Sequence, residues 1–164
     1  MALLFLDASA LVKRYYPEIG SQSVDLLIAN SSAHPMVSTP WGYAETYSIL
    51  LRRFNGGVID LATFTGAVSA LQAEVVQKPE FGLLTITDAH VFSSIGMMHR
   101  HNLNATDAVL LTLLVEFSRT HGALSCVLIA SDHRFLRAAA SEGLPALNPE
   151  TLVPADVPGV LAAL

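Results

Sequence analysis

Four acids of this chain sit where a lone carboxylate is costly to keep. Asp7 is the first acid after the apolar run Ala2-Leu3-Leu4-Phe5-Leu6, and Asp132 is the first after Cys126 to Ala130. Asp107 opens a stretch that is apolar on nearly every side, and Glu45 shares a helical face with Trp41, Ser48 and Ile49. An isolated buried carboxylate is destabilising, and few bases lie near these four in sequence. A hard cation such as Mg²⁺ or Mn²⁺, which prefers oxygen ligands, is the natural counter-charge. Ions held this way can grip a phosphodiester, generate a hydroxide nucleophile and stabilise the leaving oxygen of an in-line displacement.

Each acid also has a structural explanation. Asp107 can be a helix N-terminal acid, Asp132 a helix cap, and Glu45 a solvated partner of Arg52 or Arg53. The joint placement of the four outweighs these single readings.

The elements that must position the acids follow from the apolar pattern. Residues 2 to 6 read as a first strand, buried on both faces. Ser9 is expected to cap a short helix reaching about Tyr16, stopped by Pro17, and a second helical pattern covers Ser21 to Ala29. Met36-Val37-Ser38 reads as a second strand. Thr39 as cap and Pro40 at the first helical position open a helix from Trp41 to about Phe54, which Asn55-Gly56-Gly57 ends. Residues 60 to 76 read as another helix, Leu83-Leu84-Thr85-Ile86 as a third strand, and Asp88 to Met98 as a helix.

From Thr106-Asp107 a central buried helix runs to about Phe117. Cys126 to Ala130 is the next strand, His133 to Glu142 a helix, and Pro154 to Leu164 a surface-docked end. Strands alternating with helices predict an α/β sandwich with a mainly parallel sheet in one domain spanning residues 1–164. In such sheets sites form beyond the carboxyl ends of the strands, where Asp7 and Asp132 fall.

Composition narrows the function classes. The chain of 164 residues is 52% hydrophobic and 14% charged, unlike a disordered segment. Its net charge of −5 argues against a nucleic-acid partner at first sight. Setting the four site acids aside, however, leaves ten acids against nine Lys and Arg. The lone Cys126 excludes an intramolecular disulfide and fits a reducing, cytoplasmic setting. No export signal or membrane segment is read.

The residues around the acids resemble the PIN-domain ribonucleases, and within them the VapC toxins of bacterial toxin-antitoxin pairs. Leu6-Asp7-Ala8-Ser9-Ala10-Leu11-Val12-Lys13-Arg14-Tyr15-Tyr16-Pro17-Glu18 is similar to that family's first strand and helix. Val37-Ser38 with Tyr43-Ala44-Glu45 is similar to its second motif. Thr106-Asp107-Ala108 is similar to its third, and Ile129-Ala130-Ser131-Asp132-His133-Arg134-Phe135-Leu136 to its fourth.

The resemblance implies a three-layer α/β/α sandwich around about five parallel strands, Mg²⁺ or Mn²⁺ as cofactor, and RNA as substrate. It also implies a VapB-like antitoxin that blocks the site. Asp7, Glu45, Asp107 and Asp132 would bind metal and orient the attacking water. Ser9 and Ser131 would support them through hydroxyl contacts, while Lys13 and Arg134 would touch RNA phosphates. Family analogy and apolar composition together point to a homodimer. A nuclease of the same fold serving RNA processing, and a catalytically silent binding module, are the alternatives.

Other candidates carry less. His99 and His101 lack further ligands at zinc-site spacing, and His133 could serve as a proton shuttle or phosphate contact. There is no Gly-x-Ser-x-Gly elbow or phosphate-binding Gly-rich loop. Trp41, Tyr43 and Tyr47 could stack on bases, although core packing or a dimer interface is the expected role of Trp41. The apolar faces of the 41–54 and 60–76 helices could receive an amphipathic segment of an antitoxin.

Overall fold

A computed structural model describes residues 2–30, 33–123 and 125–164. Its centre is a sheet of five parallel strands in the order β3-β2-β1-β4-β5. β1 (Leu3–Leu6) lies in the middle, paired with β2 (Met36–Ser38) on one side and β4 (Cys126–Ile129) on the other. β3 (Phe81–Leu83) and β5 (Ala146–Leu147) form the edges.

The continuous apolar runs of β1 and β4 follow from this position, because alternate side chains enter two different cores. Leu4, Leu6, Val127 and Ile129 face one core, and Phe5, Cys126 and Leu128 face the other. The first core is closed by α1 (Ala8–Leu11), α2 (Ser21–Ala29), α3 (Pro40–Asn55), α4 (Leu61–Leu71) and the terminal α9 (Val157–Ala162). The second is closed by α6 (Ile95–His101), α7 (Ala105–His121) and α8 (His133–Ser141). The result is the expected three-layer α/β/α sandwich. Residues Ala108 to Val115 of α7 are all buried, as its almost wholly apolar sequence predicts, and the one hydroxyl among them, Thr112, donates to the Ala108 carbonyl at 2.8 Å. No described helix is long and apolar enough to cross a membrane.

Several boundaries differ from the sequence reading, each for a local reason. The third strand lies at Phe81–Leu83 instead of Leu83 to Ile86, with Phe81 opposite Met36 and Leu83 opposite Ser38. Gly82 allows this register, since a Cβ there would press on Val37 Cγ1 at 2.9 Å. The cap of α1 is Asp7 instead of Ser9, and the helix passes into a 3₁₀ turn over Val12–Arg14. The expected 88–98 helix is two, α5 (Asp88–Ser93) and α6, which meet at Ser94. The expected 60–76 helix continues past α4 as a π-helical turn over Gln72–Gln77.

α3 begins as its sequence predicts. Thr39 accepts a hydrogen bond from the Gly42 N–H at 3.0 Å, and Pro40 occupies the first turn. The helix packs close to the end of β2, where a Cβ on Gly42 would collide with Ser38 Oγ. Ser38 Oγ itself donates to the Leu6 carbonyl at 2.8 Å. A glycine at this position is therefore what lets the helix carrying Glu45 approach the end of β1.

Candidate metal centre

Asp7 follows β1 directly, and its backbone N–H donates to the Ile129 carbonyl at 3.0 Å, which binds it to the end of β4. Its Oδ2 accepts from the Ser9 N–H at 3.0 Å and from Ser9 Oγ at 2.6 Å. Ser9 Oγ in turn accepts from the Ser131 N–H at 2.9 Å. One serine hydroxyl thus connects the two strand ends that carry Asp7 and Asp132. Asp132 caps α8, accepting from the Arg134 and Phe135 N–H groups at 2.7 and 3.0 Å through Oδ1. Both its structural and its functional reading are compatible with this geometry, because Oδ2 takes no part in the cap.

Asp107 stands in the first turn of α7, where Asn104 is the cap and donates from Nδ2 to Asp107 Oδ2 at 2.8 Å. Glu45 lies on the exposed side of α3.

Electrostatics tie the four together. Burial holds the Asp7 carboxyl above its ordinary value, against the Ser9 hydrogen bonds, and Asp132 adds to the rise. Glu45 is raised by partial burial and then by Asp7, with Arg52 opposing. Asp107 is pushed up to about 7, first by burial and then by the charges of Asp7, Asp132 and Glu45. Asp7 and Asp132 stand at the carboxyl ends of β1 and β4, and Asp107 and Glu45 lie within electrostatic reach of Asp7.

Among the described residues none of the four acids forms an ion pair, and Arg52 acts on Glu45 only at longer range. Ser131 Oγ, beside Asp132, is buried with no hydrogen-bond partner among the described residues. A set of hard, uncompensated oxygens with an orphaned hydroxyl fits a hard divalent cation. Among the described residues no group of three or more acids, histidines or cysteines is placed to hold a metal ion together. Mg²⁺ does not require one, since it commonly keeps several waters and takes only one or two carboxylates directly.

The remaining sequence candidates separate. Arg134 is exposed at the start of α8, next to Asp132. Lys13 is not available to RNA: its side chain is 3% exposed, with Nζ 2.8 Å from both Glu18 and Glu150. His101 pairs with Glu142 at 2.8 Å, and Cys126 is a buried free thiol. Trp41 is 43% exposed, which sets aside core packing, one of its two expected roles, and not the dimer interface. It lines an open groove of about 350 Å³ together with Ala44, Glu45, Ser48, Arg52 and Thr106. Ser48 and Thr106 were passed over as site candidates because hydroxyl residues within helices carry no distinguishing signal.

No family model and no curated protein matches this chain. Among solved structures it is similar to PAE2754 from Pyrobaculum aerophilum, with a TM-score of 0.62 and 15% identity. The match covers 99% of this chain and 97% of that one. At that identity the likeness is one of fold, and it extends over the whole α/β/α sandwich.

Proposed function

We propose that this chain is a divalent-metal-dependent endoribonuclease of the PIN-domain type, acting as the VapC-like toxin of a toxin-antitoxin pair. One observation carries the reading: Asp7, Glu45, Asp107 and Asp132 come from four separate elements, Asp107 feels the charge of the other three, and none of the four forms an ion pair among the described residues. The resemblance of the surrounding motifs supplies the substrate class, RNA, and the partner, a VapB-like antitoxin. The absence of any possible disulfide within the chain supports a cytoplasmic setting, and the resemblance supports a homodimer.

Asp7 and Asp107, with Glu45 and Asp132 beside them, are the residues that would hold Mg²⁺ or Mn²⁺. Such an ion supplies Lewis-acid activation of water and charge stabilisation on the phosphodiester. The chain's own groups orient the parts. Ser9 fixes the Asp7 carboxylate by two hydrogen bonds and joins it to the backbone of Ser131. The α8 cap fixes Asp132 through one oxygen and leaves the other free to accept from water. In the hydrolysis the water oxygen joins phosphorus, the bond from phosphorus to O3′ breaks, and O3′ takes up a proton. The products are a 5′-phosphate and a 3′-hydroxyl.

Asp7→Asn or Asp107→Asn is expected to lower Mn²⁺-dependent RNA cleavage by roughly 10²-fold or more while circular dichroism stays that of the parent. A variant that cuts RNA as fast as the parent removes its acid from the site. That no group of three or more acids, histidines or cysteines among the described residues is placed to hold a metal ion favours a second reading, a catalytically silent binding module of the same fold. RNA cleavage with Mn²⁺ that EDTA abolishes decides for the enzyme. The same assay on a DNA strand, together with growth arrest on expression, separates a toxin from a processing nuclease.

A further inference from the structure

We propose that the groove between α3 and the start of α7 is a stacking subsite for one unpaired base of single-stranded RNA, with Trp41 as the platform and Arg52 as the phosphate contact. The inference rests on the ribonuclease reading above and adds where the substrate lies. Trp41 keeps 43% of its surface exposed, which an indole does without need unless something covers it. It lies one helical turn from Glu45, about 6 Å along the axis. A base stacked on Trp41 therefore brings its own phosphates beside the carboxylates.

Arg52 is exposed and makes no ion pair among the described residues. Its Nη1 donates to Ser48 Oγ at 2.7 Å, which holds the guanidinium over the same groove. Its neighbour Arg53 shows the contrast, being committed to Glu18 and to the Tyr16 ring 4.1 Å away. Thr106 closes the far side, adjacent in sequence to Asp107. An aromatic face, an exposed guanidinium and hydroxyl groups form a sequence-tolerant site for a single strand. A duplex keeps its bases stacked on each other and offers none to the indole.

The chain contains a single tryptophan, so its intrinsic tryptophan fluorescence reports this groove alone. The full chain carrying Asp107→Asn, which removes one repelling carboxylate and turnover, is titrated at low salt with a single-stranded RNA hexamer. The abasic ribose-phosphate chain and an RNA duplex of equal length are the comparison ligands. Saturable quenching by the hexamer, and little by the other two, is expected. By anisotropy of labelled hexamer, Trp41→Ala weakens binding about tenfold and Trp41→Phe restores part of it. Arg52→Gln lowers the slope of log K against log salt by about 0.7.

Hexamer binding that leaves the fluorescence unchanged, or Trp41→Ala binding as tightly as the parent, overturns the subsite. Cleavage by the wild-type chain separates the two readings. Active enzyme without quenching sinks only the subsite. Quenching without cleavage sinks only the nuclease, and loss of both sinks both.

Discussion

Two groups of acids in this molecule are treated in opposite ways. In one, Glu18 and Glu150 share the buried Lys13, Arg53 also pairs with Glu18, and Arg14 bridges Asp25 and Glu74. Burial pushes the Glu18 carboxyl up, but Lys13 and Arg53 outweigh it and leave the group below its ordinary value. Glu74 is lowered mainly by its hydrogen bonds from Arg14. At the ends of β1 and β4 the carboxylates of Asp7, Glu45 and Asp107 are raised instead. The chain possesses cations and places them a few residues from Asp7, at Lys13 and Arg14, yet turns them to other acids. Paired acids in one region, and acids without ion pairs in the other, are the contrast on which the proposed cation site rests.

Breaking the paired region has the larger effect on stability. Lys13→Ala leaves Glu18 and Glu150 without their shared partner, in a place where Lys13 itself is almost fully buried. Removing one member of a buried pair costs about 3 kcal/mol or more. Both glutamates keep some contact with water, so about 2–3 kcal/mol is expected from urea unfolding. A loss below about 0.5 kcal/mol would place this network among ordinary surface pairs.

Relaxing the unpaired region has a smaller effect of opposite sign. Asp107 has a folded pKa of about 7 against an ordinary 3.8. A raised folded pKa gives a stabilising contribution that is complete below the unfolded value and is lost as pH rises through the folded one. Ionised Asp107 therefore strains the metal-free fold at pH 8. Asp107→Asn is expected to raise metal-free stability there by about 1–2 kcal/mol, less than the full shift implies because the carboxylate keeps partial contact with water. The gain shrinks as pH falls through 7 and is absent by about pH 4, as denaturation at three pH values would reveal. Equal stability of parent and variant at pH 8 would mean that the four acids do not crowd one another.

Much of this arrangement could be read from residue order, and the misreadings have physical causes. β1 and β4 are legible because strands covered on both faces must be apolar throughout, so an acid marks their ends. Asp7 and Asp132 are located by those ends, Asp107 by the start of the buried helix, and Glu45 by the Thr39-Pro40 helix start. β3 was misplaced because Leu83-Leu84-Thr85-Ile86 is the stronger strand pattern, while the register with β2 turns on the missing side chain of Gly82. β5, two residues long, leaves no periodic trace. Ser9 and Asp7 are both good caps. Only the proximity of Ser131, 122 residues away, shows why Asp7 caps and Ser9 bridges. Lys13 looked like a surface base because its second partner, Glu150, lies 137 residues further on. Residue order leaves core packing and a dimer interface both open for Trp41, because exposure of a large aromatic is set by tertiary packing that no local pattern encodes.

Titration calorimetry of the metal-free protein with Mn²⁺ tests directly whether the four carboxylates form a cation site. Saturable binding is expected for the parent, tighter at pH 8 than at pH 6 because a proton must leave the cluster. The Asp7→Asn, Asp107→Asn double variant should lose it at least tenfold. Equal Mn²⁺ affinity of parent and double variant, or no binding to the parent at millimolar Mn²⁺, would contradict the account.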